Sequence, residues 1–163
     1  MANRGHILRV NDYLRTSDYL LSADGRFCAC MQADGNLCVY EGQPAVETFR
    51  WGALRESLPL GDYFTAMQSD GNLCIYAGTP ENQGAPIWWA RDERADEGEY
   101  TTFLHDDGNL VTYWGTQPSR EAHIWNWMGG GGGHTDKTLL IAATTIGAAA
   151  SFLLIAEMIE LML

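Results

Sequence analysis

The first 128 residues predict an all-β domain of three equal units. Behind it the sequence predicts a glycine-rich linker over residues 129–137 and one apolar α-helix over residues 138–163. Three observations carry this reading. A ten-residue segment occurs three times. No apolar periodicity of 3.6 residues appears before residue 137. The composition changes abruptly after Met128, first to five consecutive glycines and then to a nearly uncharged apolar stretch.

The repeat comes first, because a fixed period of this length decides the architecture. Residues 31–40 read MQADGNLCVY, residues 67–76 read MQSDGNLCIY, and residues 104–113 read LHDDGNLVTY. Successive copies start 36 and 37 residues apart. A strand-like stretch containing aromatics precedes each copy, at residues 26–31, 63–67 and 100–104. A loop and a tryptophan follow each one: Trp51, Trp88 with Trp89, and Trp125. Within a unit the order is strand, Asp-Gly-Asn turn, strand, loop, Trp strand. The β-branched, aromatic and cysteine residues are broken by Gly and Pro, as short antiparallel strands require. Three equal units imply pseudo-threefold symmetry, with the tryptophans packed together inside.

Each copy also gathers polar groups at alternate positions. The three candidate sites are Gln32, Asp34, Asn36, Cys38 and Tyr40; Gln68, Asp70, Asn72, Cys74 and Tyr76; and His105, Asp107, Asn109, Val111 and Tyr113. On one extended strand Gln32 and Tyr40 would stand roughly 26 Å apart, beyond the reach of one small ligand. The Asp-Gly-Asn turn folds the chain back, so that Gln and Tyr approach across a hairpin. Carboxylate, amides and phenol then offer both donors and acceptors, which suits vicinal hydroxyls. Cys38, Cys74 or Val111 adds a small apolar surface for the C–H face of a sugar ring. Such a site is shallow and wet, with single-site affinity on the order of millimolar. Several sites on one particle supply avidity.

Three copies of Gln-x-Asp-x-Asn-x-Val-x-Tyr, each followed by a Trp, resemble the monocot (bulb-type) mannose-binding lectins. The stretch from Asn11 through Gly25 is similar to that family's N-terminal strands, and the resemblance covers about 120 residues. It implies the β-prism II fold, three four-stranded antiparallel sheets around a pseudo-threefold axis. It also implies that Asp34 and Asn36 hold the axial 2-OH of mannose, Gln32 the 3-OH and Tyr40 the 4-OH. Gln68, Asp70, Asn72 and Tyr76 match in the second copy. The sequence departs from the family where Cys38 and Cys74 replace Val and where His105 replaces Gln. The second departure makes the third site doubtful. A β-prism scaffold without a working sugar site is the alternative.

Charge and composition exclude other classes. The net charge is −11 with ten Lys and Arg, so no basic face exists for nucleic acid, and polyanionic glycans are disfavoured. No CxxC pair occurs among Cys28, Cys30, Cys38 and Cys74, so neither a zinc site nor any other metal or cofactor is expected. All four read as reduced apolar fillers. Asp34, Asp70 and Asp107 each lack a second positioned carboxylate, and no nucleophile stands beside a base, so no enzyme is expected. Of the histidines only His105 falls in a motif. His6, His123 and His134 are expected to face solvent.

Residues 139–156 carry no charge and would span roughly 27 Å as a helix. Two readings stand. In one, the small residues Ala142, Ala143, Gly147, Ala148, Ala149, Ala150 and Ser151 let copies of the tail pack closely into an oligomer or filament. In the other, the tail anchors the protein in a lipid bilayer, against which Glu157 and Glu160 count. The N-terminal ten residues hold no apolar run and do not form a secretory signal. The expected location is nonetheless extracellular or at a cell surface, where glycans are.

Overall fold

The computed structural model describes residues 2–128 together with His134 and Thr135. The helix expected over residues 138–163 lies outside the described residues, as does most of the expected linker. Twelve strands build three antiparallel sheets. The first contains β3 (Tyr19–Leu21), β4 (Phe27–Met31), β5 (Leu37–Glu41) and β6 (Phe49–Gly52). The second contains β2 (Tyr13–Arg15), β7 (Tyr63–Met67), β8 (Leu73–Thr79) and β9 (Asn82–Trp89). The third contains β1 (Ile7–Arg9), β10 (Tyr100–Leu104), β11 (Leu110–Trp114) and β12 (His123–Asn126). A two-residue strand β13 (His134–Thr135) pairs with Trp89 and Trp88, adding a fifth strand to the second sheet inside the segment expected as linker. No helix occurs among the described residues.

Each sheet takes three strands from its own repeat and one from the N-terminal segment, in reverse order: β3 joins the first unit, β2 the second and β1 the third. A six-residue period produces this. Leu8, Leu14 and Leu20 are the buried centres of β1, β2 and β3. Gly5, Asn11 and Ser17 precede them with φ of 78°, 72° and 74°. Each left-handed residue turns the chain from one sheet to the next. The same backbone bond recurs in all three: Met31 N–H donates to Asp18 O, Met67 N–H to Asp12 O, and Leu104 N–H to His6 O.

Each motif turn is a three-residue hairpin loop, residues 33–35, 69–71 and 106–108, closed by the following Asn. Gln32 N–H donates to Asn36 O and Gly35 N–H to Gln32 O, with Gly35 left-handed at φ 79°. The aspartate closes the bend by accepting from the following Asn N–H, at 3.1 Å for Asp34 and Asp70 and 2.9 Å for Asp107. Glycine is required there for space as well. An aromatic ring from another unit lies on each turn: Tyr63 on Gly35, Tyr100 on Gly71 and Phe27 on Gly108. The turns therefore lock neighbouring units together.

The inner faces meet at three tryptophans, as the repeat predicts. Trp51 and Trp88 lie 5.9 Å apart between ring centroids, Trp51 and Trp125 6.1 Å, and Trp88 and Trp125 5.8 Å, all steeply inclined. Trp88 is 0 % exposed. Trp127 stacks on Trp51 at 6.0 Å. Trp89 turns outward instead, and its Nε1 donates to Asp92 at 3.3 Å.

Candidate functional site

Strand alternation sends Leu37, Val39 and Trp51 inward and Asn36, Cys38 and Tyr40 outward. The motif side chains of each unit thus share the outer face of one sheet, near the end that carries the turn.

In the first unit Gln32 Nε2 donates to Tyr40 OH at 2.8 Å, and the Cys38 thiol donates to Gln32 Oε1 at 3.3 Å. The Asn36 amide clamps the chain beyond the Trp strand: Nδ2 donates to Leu54 O at 3.2 Å and Oδ1 accepts from Leu54 N–H at 2.8 Å. Ser57 Oγ donates to Asp34 Oδ2 at 2.8 Å. The group is deeply set, with Gln32 7 %, Asp34 5 % and Tyr40 3 % exposed. Burial raises both the Cys38 thiol and the Tyr40 phenol well above their ordinary pKa values, so both remain protonated donors.

The second unit repeats this arrangement. Gln68 Nε2 donates to Tyr76 OH, and the Cys74 thiol donates to Gln68 Oε1 at 3.3 Å. Asn72 Nδ2 donates to Arg91 O at 2.8 Å, and Asn72 Oδ1 accepts from Arg91 N–H at 3.1 Å. Here the carboxylate is more open. Gln68 and Asp70 are half-buried, and Asp70 faces the exposed Arg94 at 3.4 Å in place of a serine. Burial pushes the Cys74 thiol up to about 12 and raises Tyr76.

The third unit differs. His105 Nε2 and Tyr113 OH are 3.1 Å apart, and Val111 offers no thiol. The His105 ring stacks on Phe103 at 5.8 Å, and Tyr113 meets His123 at 6.2 Å. The loop that covers the turn in the first two units donates from Leu58 N–H to Asp34 O and from Ala95 N–H to Asp70 O. In the third unit the turn is held from both sides: Asp24 N–H donates to Asp106 Oδ1 and Arg26 to Asp106 O, and after the Trp strand Trp127 Nε1 donates to Gly108 O. Asp107 is exposed. His6 and His123, expected simply to face solvent, lie with His105 on this face. His123 is exposed, whereas His6 is half-buried against Phe103 at 6.4 Å.

The structure brings Gln, Asp, Asn and Tyr together in the first two units, and His, Asp, Asn and Tyr in the third. It changes the reading of the cysteines. All four are buried free thiols, but Cys38 and Cys74 act as hydrogen-bond donors that orient the glutamine amide, not only as apolar surface. Cys28 and Cys30 lie below the first site with their sulfurs 3.6 Å apart. Sequence reasoning missed Ser57 and Arg94. The signal available for them was their place in the loop after each Trp strand.

The valences left over define what each cluster can do. An amide carries two N–H groups and a phenol one O–H. After the bonds above, the Gln and Asn of the second unit each keep one N–H, Tyr76 keeps its O–H, and Asp70 keeps acceptor capacity. Three donors and an anionic acceptor on one shallow face match a ring bearing adjacent hydroxyls. Among the described residues no three His, Cys, Asp or Glu side chains converge as metal ligands.

Three pseudo-equivalent sheets around a tryptophan axis, each with such a cluster on its outer face, define a β-prism lectin. The chain is similar to the mannose-specific agglutinin from snowdrop (Galanthus nivalis) bulbs, solved with methyl α-D-mannoside. The two are 30 % identical over 73 % of this chain and 98 % of that one, with a TM-score of 0.56. It is also similar to a lectin from Allium sativum (28 % identity, 70 % of this chain and 98 % of that one, TM-score 0.57). A monomeric monocot mannose-binding lectin from Gastrodia elata gives 26 % identity, 74 % and 94 % coverage and a TM-score of 0.55. No family model and no curated sequence matches the chain. The chain belongs to the monocot (bulb-type) mannose-binding lectin family.

Proposed function

We propose that this domain binds mannose-type glycans, and that the second site is the best formed of the three. The observation that carries the proposal is the Gln68–Asp70–Asn72–Tyr76 cluster, half-open and with unused donors and acceptors on one face. By its likeness to the family motif, Asp70 and Asn72 take the 2-OH of mannose, Gln68 the 3-OH and Tyr76 the 4-OH. Gln32, Asp34, Asn36 and Tyr40 do the same at a deeper first site. Binding needs no metal, because protein groups alone supply the hydrogen bonds. The test is a glycan array run with the full-length protein in chelator. Mannosides above background support the proposal, and their absence overturns it.

The tail of residues 138–163 favours multivalent display. If residues 138–163 form the helix expected from the sequence, its apolar sides call for cover by lipid or by other copies, and the small residues and two glutamates favour other copies. The protein would then act as an adhesive lectin outside the cell or at its surface, held in an oligomer or filament. Electron microscopy of the full-length protein tests this. Monodisperse monomers in detergent that partition only with membranes would favour the bilayer anchor instead.

A further inference from the structure

Opposite each motif tyrosine stands a residue that the motif does not specify. The register places Phe49 across from Tyr40, Pro86 across from Tyr76 and His123 across from Tyr113. A β-bulge sets this position in every unit, falling between Val39 and Tyr40, between Ile75 and Tyr76, and between Thr112 and Tyr113. Bulges beside sites re-aim side chains. All three residues are exposed, and they differ in chemistry while Asp, Gly, Asn and Tyr do not.

Phe49 is the strongest case. Its ring meets Tyr40 edge-on, 5.8 Å away at 72°. It is 45 % exposed, and Val46, whose carbonyl accepts from Phe49 N–H, is 63 % exposed. Phe49 is thus exposed beside one motif tyrosine, and the exposed Val46 is tied to it through the backbone one turn earlier. Arg50 is ion-paired with Glu41, which leaves the exposed Glu47 as the net charge alongside. The two side chains offer an apolar surface with an acidic edge, beside the outer face that holds the first site.

We propose that Phe49 and Val46 form an accessory subsite for the ring face of a second neutral pyranose, linked to the sugar held by Gln32, Asp34, Asn36 and Tyr40. The equivalent position, Phe49, Pro86 or His123, sets what each site accepts next to its first sugar. A pyranose presents an apolar C–H face that packs on an aromatic ring. The net charge of −11 disfavours an acidic sugar there. The proposal rests on the reading of the first motif as a sugar site.

The test is a titration of the ¹⁵N-labelled full-length chain, with the backbone amides of Asn36 and Asn72 reporting the two sites separately. The ligands are methyl α-mannoside and an α-linked mannobiose. Two mannose units alone give up to about a twofold gain by statistics. Stacking predicts about a fivefold gain at Asn36. Phe49→Ala should reduce that ratio to the statistical value while leaving the monosaccharide affinity unchanged, and Pro86→Phe should raise the ratio at Asn72. Phe49 is a surface residue, so the spectrum of the variant shows directly that the fold persists. A ratio of two or less in the native chain overturns the proposal, as does a ratio that survives Phe49→Ala. If Asn36 responds to neither ligand, the sugar reading of the first site itself has failed. That outcome is recognisable because no ratio can be formed.

Discussion

The thiol of Cys74 donates to Gln68 Oε1 at 3.3 Å, and the same glutamine donates through Nε2 to Tyr76 OH. One side chain thus fixes the orientation of the amide and leaves the tyrosine proton for a ligand. Cys38, Gln32 and Tyr40 repeat the relay.

Cys74→Ser should preserve the donor and keep mannoside affinity at the second site within about twofold. Cys74→Val should leave Gln68 Oε1 without its donor and weaken that site by roughly fivefold, the worth of one ordinary hydrogen bond. Isothermal titration with methyl α-mannoside measures both. Equal affinity in the two variants would show that the thiol acts only as packing.

The buried thiols also predict a pH dependence of stability. The folded chain holds the Cys74 thiol protonated up to about 12, against an ordinary value of 9.0, and burial raises Cys38 in the same direction. Above pH 9 the unfolded chain releases these protons while the folded chain keeps them. Stability contributed by the raised values is therefore complete below pH 9 and is lost as the pH climbs towards 12. Denaturant midpoints should fall from pH 9 upward, and more shallowly in a Cys38→Val, Cys74→Val double variant. Identical slopes would remove the thiols as the cause.

Two glycines separate backbone strain from crowding. Gly25 and Gly71 have nearly the same φ, 76° and 75°, but a Cβ on Gly25 would meet nothing within 4 Å, whereas one on Gly71 would lie 2.8 Å from the Tyr100 ring. Gly25→Ala should cost about 1 kcal/mol from conformation alone. Gly71→Ala should cost roughly 2 kcal/mol or more, because the ring must also move. Equal losses in urea denaturation would mean that the contact between units contributes nothing.

Much of this fold was legible in the sequence, for a physical reason. A turn that needs an Asx bend, a left-handed glycine and space for another unit's ring tolerates few residues, so it recurs as a readable motif. The tryptophans recur because three identical faces must fill one axis. The six-residue rhythm of Leu8, Leu14 and Leu20 was harder to see, since three-residue strands with one buried residue each leave little pattern. Sequence could not say which of Trp88 and Trp89 turned inward, because one register step reverses every side chain. Nor did it reveal that Ser57 and Arg94 face equivalent aspartates. Those residues come from loops of unlike sequence that only the fold superposes.

The two aspartates should therefore contribute unequally, and substitution by Asn tests this cleanly. Asn keeps an oxygen for the N–H of Asn36 or Asn72, so the turn survives while the negative charge is lost. Asp34 is 5 % exposed and already accepts from Ser57 Oγ at 2.8 Å, which leaves little of its carboxylate for a ligand. Asp70 is more open, and its neighbour Arg94 reaches it only at 3.4 Å from an exposed position, a contact worth little in water. A hydroxyl that replaces such a weak surface pair gains a charge-assisted bond, worth about 1.5–3 kcal/mol. Asp70→Asn should accordingly lower mannoside affinity at the second site by more than tenfold. Asp34→Asn should have a smaller effect at the first, and the double variant should keep weakened monosaccharide binding at the first site alone. Asp107→Asn should change little, since His105 and Val111 leave that cluster without the glutamine–thiol relay. Site-resolved titration of the Asn36, Asn72 and Asn109 amides checks each claim in one experiment. A third site that responds as strongly as the second would show that the imidazole of His105 replaces the glutamine amide without loss.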